Sequence, residues 1–230
     1  MKWMKWLADM IFPRRATCMG CGCMTGCDRD DICGECRKAL AEGWIGVRTV
    51  ERKSPLDGAA FAYRYRGPAG GVVRNLKYGS VWVLADEMGR EVARAAELLR
   101  IPELKWVTAV PMHPKRLRER ERNHSELIAR AAAERMGARY LEILERTRNA
   151  PQQARLSNEE RLRNLKGGFA VRAELAEEIR GGTVLLIDDV WTTGATAASC
   201  AEALKAAGAG KVYFAAYAYG EKRNGKNHQR

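Results

Sequence analysis

Short apolar runs alternate with amphipathic stretches between about Leu56 and Tyr219, which is the pattern of a fold built on a parallel sheet with helices between its strands. Residues 59–66, 106–110, 183–187 and 211–216 read as strands. The stretch 81–99 reads as a helix, because Leu84, Met88, Val92, Ala95, Ala96 and Leu99 fall on one stripe at helical spacing. A second helix is predicted over 125–136 with Asn123 as its cap. A third is predicted over 196–207, ended by Gly208 and Gly210. Lys77 falls on a further predicted helix.

The segment before residue 50 follows a different pattern. It is Cys-rich and Trp-containing and has too few apolar positions for a core of its own. Trp3, Trp6, Leu7, Met10 and Ile11 recur at the spacing of an amphipathic helix, with Lys2 and Lys5 beside them. Such a stripe packs against its own protein or rests on an anionic membrane surface as a peripheral contact. The division expected is a cysteine module over 1–50, an α/β unit over 51–220 and a disordered polar tail over 221–230.

Composition narrows the class. Hydrophobic residues make up 46% of the 230 and charged residues 30%, as in a globular domain. No apolar run approaches the ~20 residues that span a bilayer. Lys5 and Asp9 interrupt the start as no secretory signal would, so a cytoplasmic location is expected. In that compartment the seven cysteines are metal ligands or free thiols rather than disulfides. The net charge of +12 is uneven: residues 111–166 hold fourteen Lys and Arg against eight Glu, half of the excess in about a quarter of the chain. A polyanion is drawn to such a stretch.

The chemistry is densest in Val184-Leu185-Leu186-Ile187-Asp188-Asp189-Val190-Trp191-Thr192-Thr193-Gly194-Ala195-Thr196. Four apolar residues make a strand buried on both faces. Two carboxylates follow, then a turn of Thr and Gly that opens a helix. Ligands of open α/β sheets bind at the carboxyl ends of such strands. The turn can aim backbone N–H groups and hydroxyls at one anion, with the positive end of the helix behind them. Acids for sugar hydroxyls beside amides for a phosphate make a ribose-5-phosphate site. The plain alternative is a strand–turn–helix whose acids merely cap it. The nucleotide loop G-x-x-x-x-G-K-[ST] is absent from the sequence, which argues against a P-loop NTPase.

Two further groups carry chemistry. Cys18-x-x-Cys21 and Cys33-x-x-Cys36 are paired knuckles that suit four-coordinate structural zinc, whose sites leave no open position for catalysis. Cys23 and Cys27 are surplus to four ligands, as free thiols or as members of an alternative set, and a redox dithiol is the competing reading. Val110-Pro111-Met112-His113-Pro114-Lys115-Arg116 follows a predicted strand, and Lys115 and Arg116 there suit a pyrophosphate. His113 between two prolines reads as a structural hydrogen-bonding residue. The bland reading is a solvated basic loop.

The thirteen-residue run resembles the signature of type I phosphoribosyltransferases, which bind phosphoribosyl pyrophosphate (PRPP). With the cysteine pairs, Asn75-Leu76-Lys77-Tyr78, the 111–126 segment, Pro151-Gln152-Gln153-x-x-Leu156-Ser157 and Asn164-Leu165, nearly the whole chain resembles the ComF family of competence-associated proteins. The resemblance implies a type I phosphoribosyltransferase fold with a central parallel sheet and a small N-terminal zinc finger of four cysteines. It implies that Asp188 and Asp189, also the expected catalytic pair, hold the ribose hydroxyls. Thr192, Thr193, Gly194, Ala195 and Thr196 would hold the 5′-phosphate, Lys115 and Arg116 the pyrophosphate, and Lys77 a further phosphate. Residues 146–168 would be the loop that closes over PRPP, with Arg148 or Lys166 near the phosphates. Mg²⁺ would accompany PRPP and Zn²⁺ the cysteines. The implied role is transfer to an unknown acceptor, linked to DNA uptake and use. The alternative is a non-catalytic PRPP-binding module in a complex with single-stranded DNA and competence-machinery proteins. Arg122-Asn123-His124-Ser125 stands where the family more often has Phe-Asn-Gln-Ser.

Overall fold

The structure, a computed structural model, describes residues 17–24, 32–79, 83–120, 122–147 and 168–220. The N-terminal amphipathic stripe, Cys27, the Pro151 to Leu165 motifs, Arg148, Lys166 and the tail lie outside the described residues.

In chain order the elements are α1 (Gly34–Glu42), β1 (Trp44–Arg48), β2 (Gly58–Arg64), α2 (Gly67–Tyr78), α3 (Val83–Glu97), β3 (Leu104–Ala109), α4 (Pro114–Arg120), α5 (His124–Arg135), β4 (Arg139–Tyr140), β5 (Leu144–Arg146) and β6 (Phe169–Val171). A 3₁₀ turn (Ala173–Leu175) and α6 (Ala176–Ile179) then lead into β7 (Thr183–Trp191), α7 (Ala195–Ala206) and β8 (Lys211–Tyr219). Six strands form one sheet in the order β1-β2-β8-β7-β3-β4, parallel except for the antiparallel edge pair β1–β2. β5 and β6 pair antiparallel in a separate ribbon. The expected central parallel sheet is present.

Alternation along the central strands builds a core on each face. Leu185 and Ile187 point with Val107, Ala109 and Ala215 into a layer under α2, α3 and α5, and Cys18, Cys33 and Cys36 belong to that same cluster. Val184 and Leu186 point with Phe61, Trp106 and Phe214 into the opposite layer, under α7 and the β5–β6 ribbon. All four residues of the run 184–187 are fully buried, as a strand covered on both faces requires.

Element ends differ from expectation in one instructive place. β7 does not stop at Ile187 but runs on through the acid pair to Trp191. Its neighbour β8 is equally long, so pairing continues from Asp188 with Ala216 to Trp191 with Tyr219. α5 starts at His124, and Asn123 caps it by accepting from the Ser125 N–H at 3.2 Å.

Candidate functional site

β3 and β7 lie side by side and parallel, but the chain leaves them in opposite directions: from β3 through α5 to β4, and from β7 through α7 to β8. Such a divergence opens a crevice at the carboxyl ends of the strands. A cleft of about 620 Å³ occupies it. Asp188 and Asp189 from β7, the turn after β3, Ser125 at the start of α5 and Lys77 in the last turn of α2 all line the cleft.

The two acids are differently held. Asp189 is 7% exposed, and Lys77 Nζ lies 2.9 and 2.8 Å from its two carboxylate oxygens. Lys77, expected to be a phosphate contact, is thus engaged with an acid. Asp188 is half-buried and accepts from Ser125 Oγ at 2.6 Å and from the Asp189 N–H at 2.9 Å through one oxygen, Oδ1. Burial, then the neighbouring charge of Asp189, pushes the Asp188 carboxyl up to about 7, against the pull of those two hydrogen bonds and Lys77.

Cations form the opposite wall. Lys115, Arg116 and Arg120 line the cleft from α4, a helix with no buried residue. His113 Nδ1 accepts from the Lys115 N–H at 3.2 Å, a structural role; burial, then the charges of Arg146 and Arg116, hold its ring below the usual histidine range. Arg146 comes from β5 rather than from a loop, paired with Phe169 of β6. Its Nε donates to the Pro111 carbonyl at 3.2 Å, and its guanidinium lies 4.7 Å from the centre of the Phe169 ring. Among the described residues no carboxylate forms an ion pair with it. Burial lowers its pKa from the usual arginine value, the signature of a cation whose solvation is incomplete.

The turn after β7 is shaped by Gly194. Its φ of +79° is the left-handed region, and an added Cβ would run into the Trp191 ring beneath it. α7 begins directly afterwards, with Ala198 N–H bonding the Gly194 carbonyl at 2.8 Å. Of the turn residues, Thr196 lines the cleft; Thr192, Thr193, Gly194 and Ala195 lead into it.

The four cysteines of the two knuckles come together. The sulfurs of Cys18, Cys21, Cys33 and Cys36 lie within 4.8 Å of one another, and Cys21 and Cys33 are 3.9 Å apart. Ligands at ~2.3 Å from a tetrahedral ion would be about 3.8 Å apart, so the set is fit to hold one metal. Cys18 Sγ accepts from the N–H groups of Gly20 and Cys33, both at 3.3 Å. Burial raises that thiol, but the amides of Cys33, Cys21 and Gly20 outweigh it and bring Cys18 down to about 6, toward the thiolate a metal needs. Cys23 is exposed and outside the group.

With this geometry in hand, comparison with known proteins shows what the chain resembles. The model of the phosphoribosyl transferase domain matches residues 123–229, which includes the acid pair, the Gly194 turn and Ser125. The chain is 28% identical over 203 residues to the DNA utilization protein YhgH of Escherichia coli K12, covering 85% of this chain and 86% of that one. Its counterpart in Salmonella typhimurium is 29% identical over 192 residues, covering 80% and 82%. Residues 123–229 thus resemble a phosphoribosyl transferase domain, and most of the chain is similar to a DNA utilization protein. Among solved structures, a glutamine phosphoribosylpyrophosphate amidotransferase from B. subtilis, complexed with ADP and GMP, aligns at 21% identity and TM-score 0.39. It covers 56% of this chain, which spans only 25% of that one. Among the described residues no helix is long and apolar enough to cross a membrane.

Ser125 and Arg146 are cleft residues that fall within the 111–126 and 146–168 segments but were given no role of their own there. A signal for Ser125 exists in retrospect: it is two residues past a capping Asn, where an N-terminal helical side chain points toward the neighbouring strand end. Arg146 had none, because its place depends on pairing between β5 and β6 across a sequence gap of more than twenty residues.

Proposed function

We propose that the cleft binds PRPP and that the chain is a phosphoribosyltransferase acting on an acceptor yet to be identified. One observation carries this reading: the acid pair lies toward the carboxyl end of a central strand at the divergence of β3 and β7, in a cleft shared with Lys115, Arg116, Arg120 and Arg146. Carboxylates accept hydrogen bonds from a vicinal diol, whereas clustered guanidinium and ammonium groups match phosphate oxygens. PRPP presents both at the separation of one sugar ring.

In this reading Asp188 and Asp189 orient the ribose through its 2′- and 3′-hydroxyls, and Lys77 holds Asp189 in place. The turn 192–196 directs its N–H groups and hydroxyls at the 5′-phosphate, reinforced by the positive end of α7. Lys115 and Arg116 take up the charge that grows on the pyrophosphate as its bond to C1 lengthens. Arg146 offers the same charge a planar fork from the buried side. Most carboxylate oxygens of the pair already have protein partners, so a magnesium ion would arrive on the diphosphate as part of the substrate and neutralise its charge. Zinc at Cys18, Cys21, Cys33 and Cys36 would serve folding, because all four positions are filled by sulfur. A cytoplasmic setting belongs to the same proposal.

A second reading is favoured by the name of the curated relatives, DNA utilization protein, together with the exposed basic helix α4. Here the PRPP cleft reports ligand occupancy while the protein serves a complex that handles single-stranded DNA. Turnover separates the two. With PRPP and Mg²⁺ supplied, pyrophosphate should be released when a panel of amines and nucleobases is added. PRPP that raises the melting temperature with no pyrophosphate released by any acceptor would support the module, and no shift with PRPP would remove both.

A further inference from the structure

One helix joins the cysteine centre to the acid pair. α2 turns Pro68, Gly71 and Asn75, one face at helical spacing, toward the first knuckle. A Cβ added to Gly71 would overlap the Gly20 carbonyl, so backbone packs on backbone there. Gly20 lies between the first two cysteines of the metal set and is itself wedged. A Cβ on it would come within 2.9 Å of Cys36 Sγ and 3.1 Å of Pro68 Cβ. Asn75 Nδ2 donates to the Met19 carbonyl at 2.8 Å, fastening the knuckle to the helix from the neighbouring turn. Two residues further along, the Lys77 ammonium grips both oxygens of Asp189.

We propose that Lys77 is a positioning residue for Asp189, and that α2 couples metal retention by the four cysteines to the geometry of the acid pair. Contacts between backbones have no flexible side chain to absorb a displacement, so a knuckle that shifts on losing its metal moves the helix that rests on it. The side chains of Lys77 and Asp189 are only 22% and 11% exposed, which makes their attraction stronger and more sensitive to separation than a surface pair. Coupling of this kind is reciprocal: what fixes Lys77 at one end of α2 also holds the knuckle at the other. Part of the inference, that PRPP tightens metal retention, rests on the proposed function; the link between Lys77 and the cysteines does not.

The test follows zinc rather than activity. The full chain, loaded with zinc, is mixed with a chromogenic chelator, and the rate of zinc transfer is recorded without ligand for wild type, Lys77→Met, Lys77→Arg and Asn75→Ala. Circular dichroism confirms that each variant is folded. Lys77→Met and Asn75→Ala should release zinc about 5-fold faster or more, and Lys77→Arg, which keeps the ion pair, should stay near wild type. Equal rates for wild type and Lys77→Met, or a purified chain that retains no zinc, overturn the coupling. In a second arm PRPP with Mg²⁺ should slow release from wild type but not from Lys77→Met. PRPP that binds without slowing wild-type release contradicts the coupling. PRPP that fails to bind sinks the proposed function, while the first arm still decides the link.

Discussion

Asp188 carries an energetic cost that its neighbours only partly offset. Its folded pKa of about 7 lies above the ~3.9 of an unfolded aspartate, so the folded state holds this proton more tightly. The contribution to stability is therefore fully present below about pH 4 and is lost as pH rises through 7. An Asn side chain keeps an oxygen for the Ser125 hydroxyl and the Asp189 N–H, yet it never ionises. Asp188→Asn should thus melt higher than wild type at pH 8, by about 4–8 °C for a gain on the order of 2 kcal/mol, and no higher at pH 4. Melting curves at the two pH values check this; a difference independent of pH would contradict it. The acids, the basic turn and the four clustered cysteines were legible from residue type and spacing alone. The partner of each acid was not, because Lys77 and Ser125 reach them from helices 112 and 63 residues away in sequence.

Elements were legible where burial is complete and obscure where it is shared. The run 184–187 could only be a two-sided strand, and the 84–96 stripe only a one-sided helix. β1, β5 and β6 escaped notice because they are short, partly exposed and defined by partners rather than by their own pattern. The extension of β7 through two carboxylates is likewise imposed by β8, whose ladder overrides the low strand preference of Asp. The turn that follows depends on a single position. Gly194→Ala brings both an unfavourable φ and a methyl group against Trp191, and should destabilise the chain by about 1–3 kcal/mol in denaturant unfolding. A loss of a few tenths would mean that the turn relaxes freely, and would weaken its assignment as a preformed anion cradle.

At the scale of the whole molecule, the cysteine centre is built into the main body. Cys18, Met19, Cys33 and Cys36 share a buried cluster with Val72, Leu76, Leu84 and Leu185, and β1 extends the main sheet. Stripping the metal with a chelator should therefore lower the calorimetric melting temperature of the entire chain, in one transition rather than by loss of a separate early one. A small independent transition with the main one unmoved would show the module to be an appendage. The central claim is that acids and cations meet around one PRPP molecule, and calorimetric titration with PRPP and Mg²⁺ tests it most directly. Wild type should bind with a stoichiometry of one, and Asp188→Asn combined with Asp189→Asn, still folded, should give no measurable heat. Equal affinity in the two proteins would contradict the account.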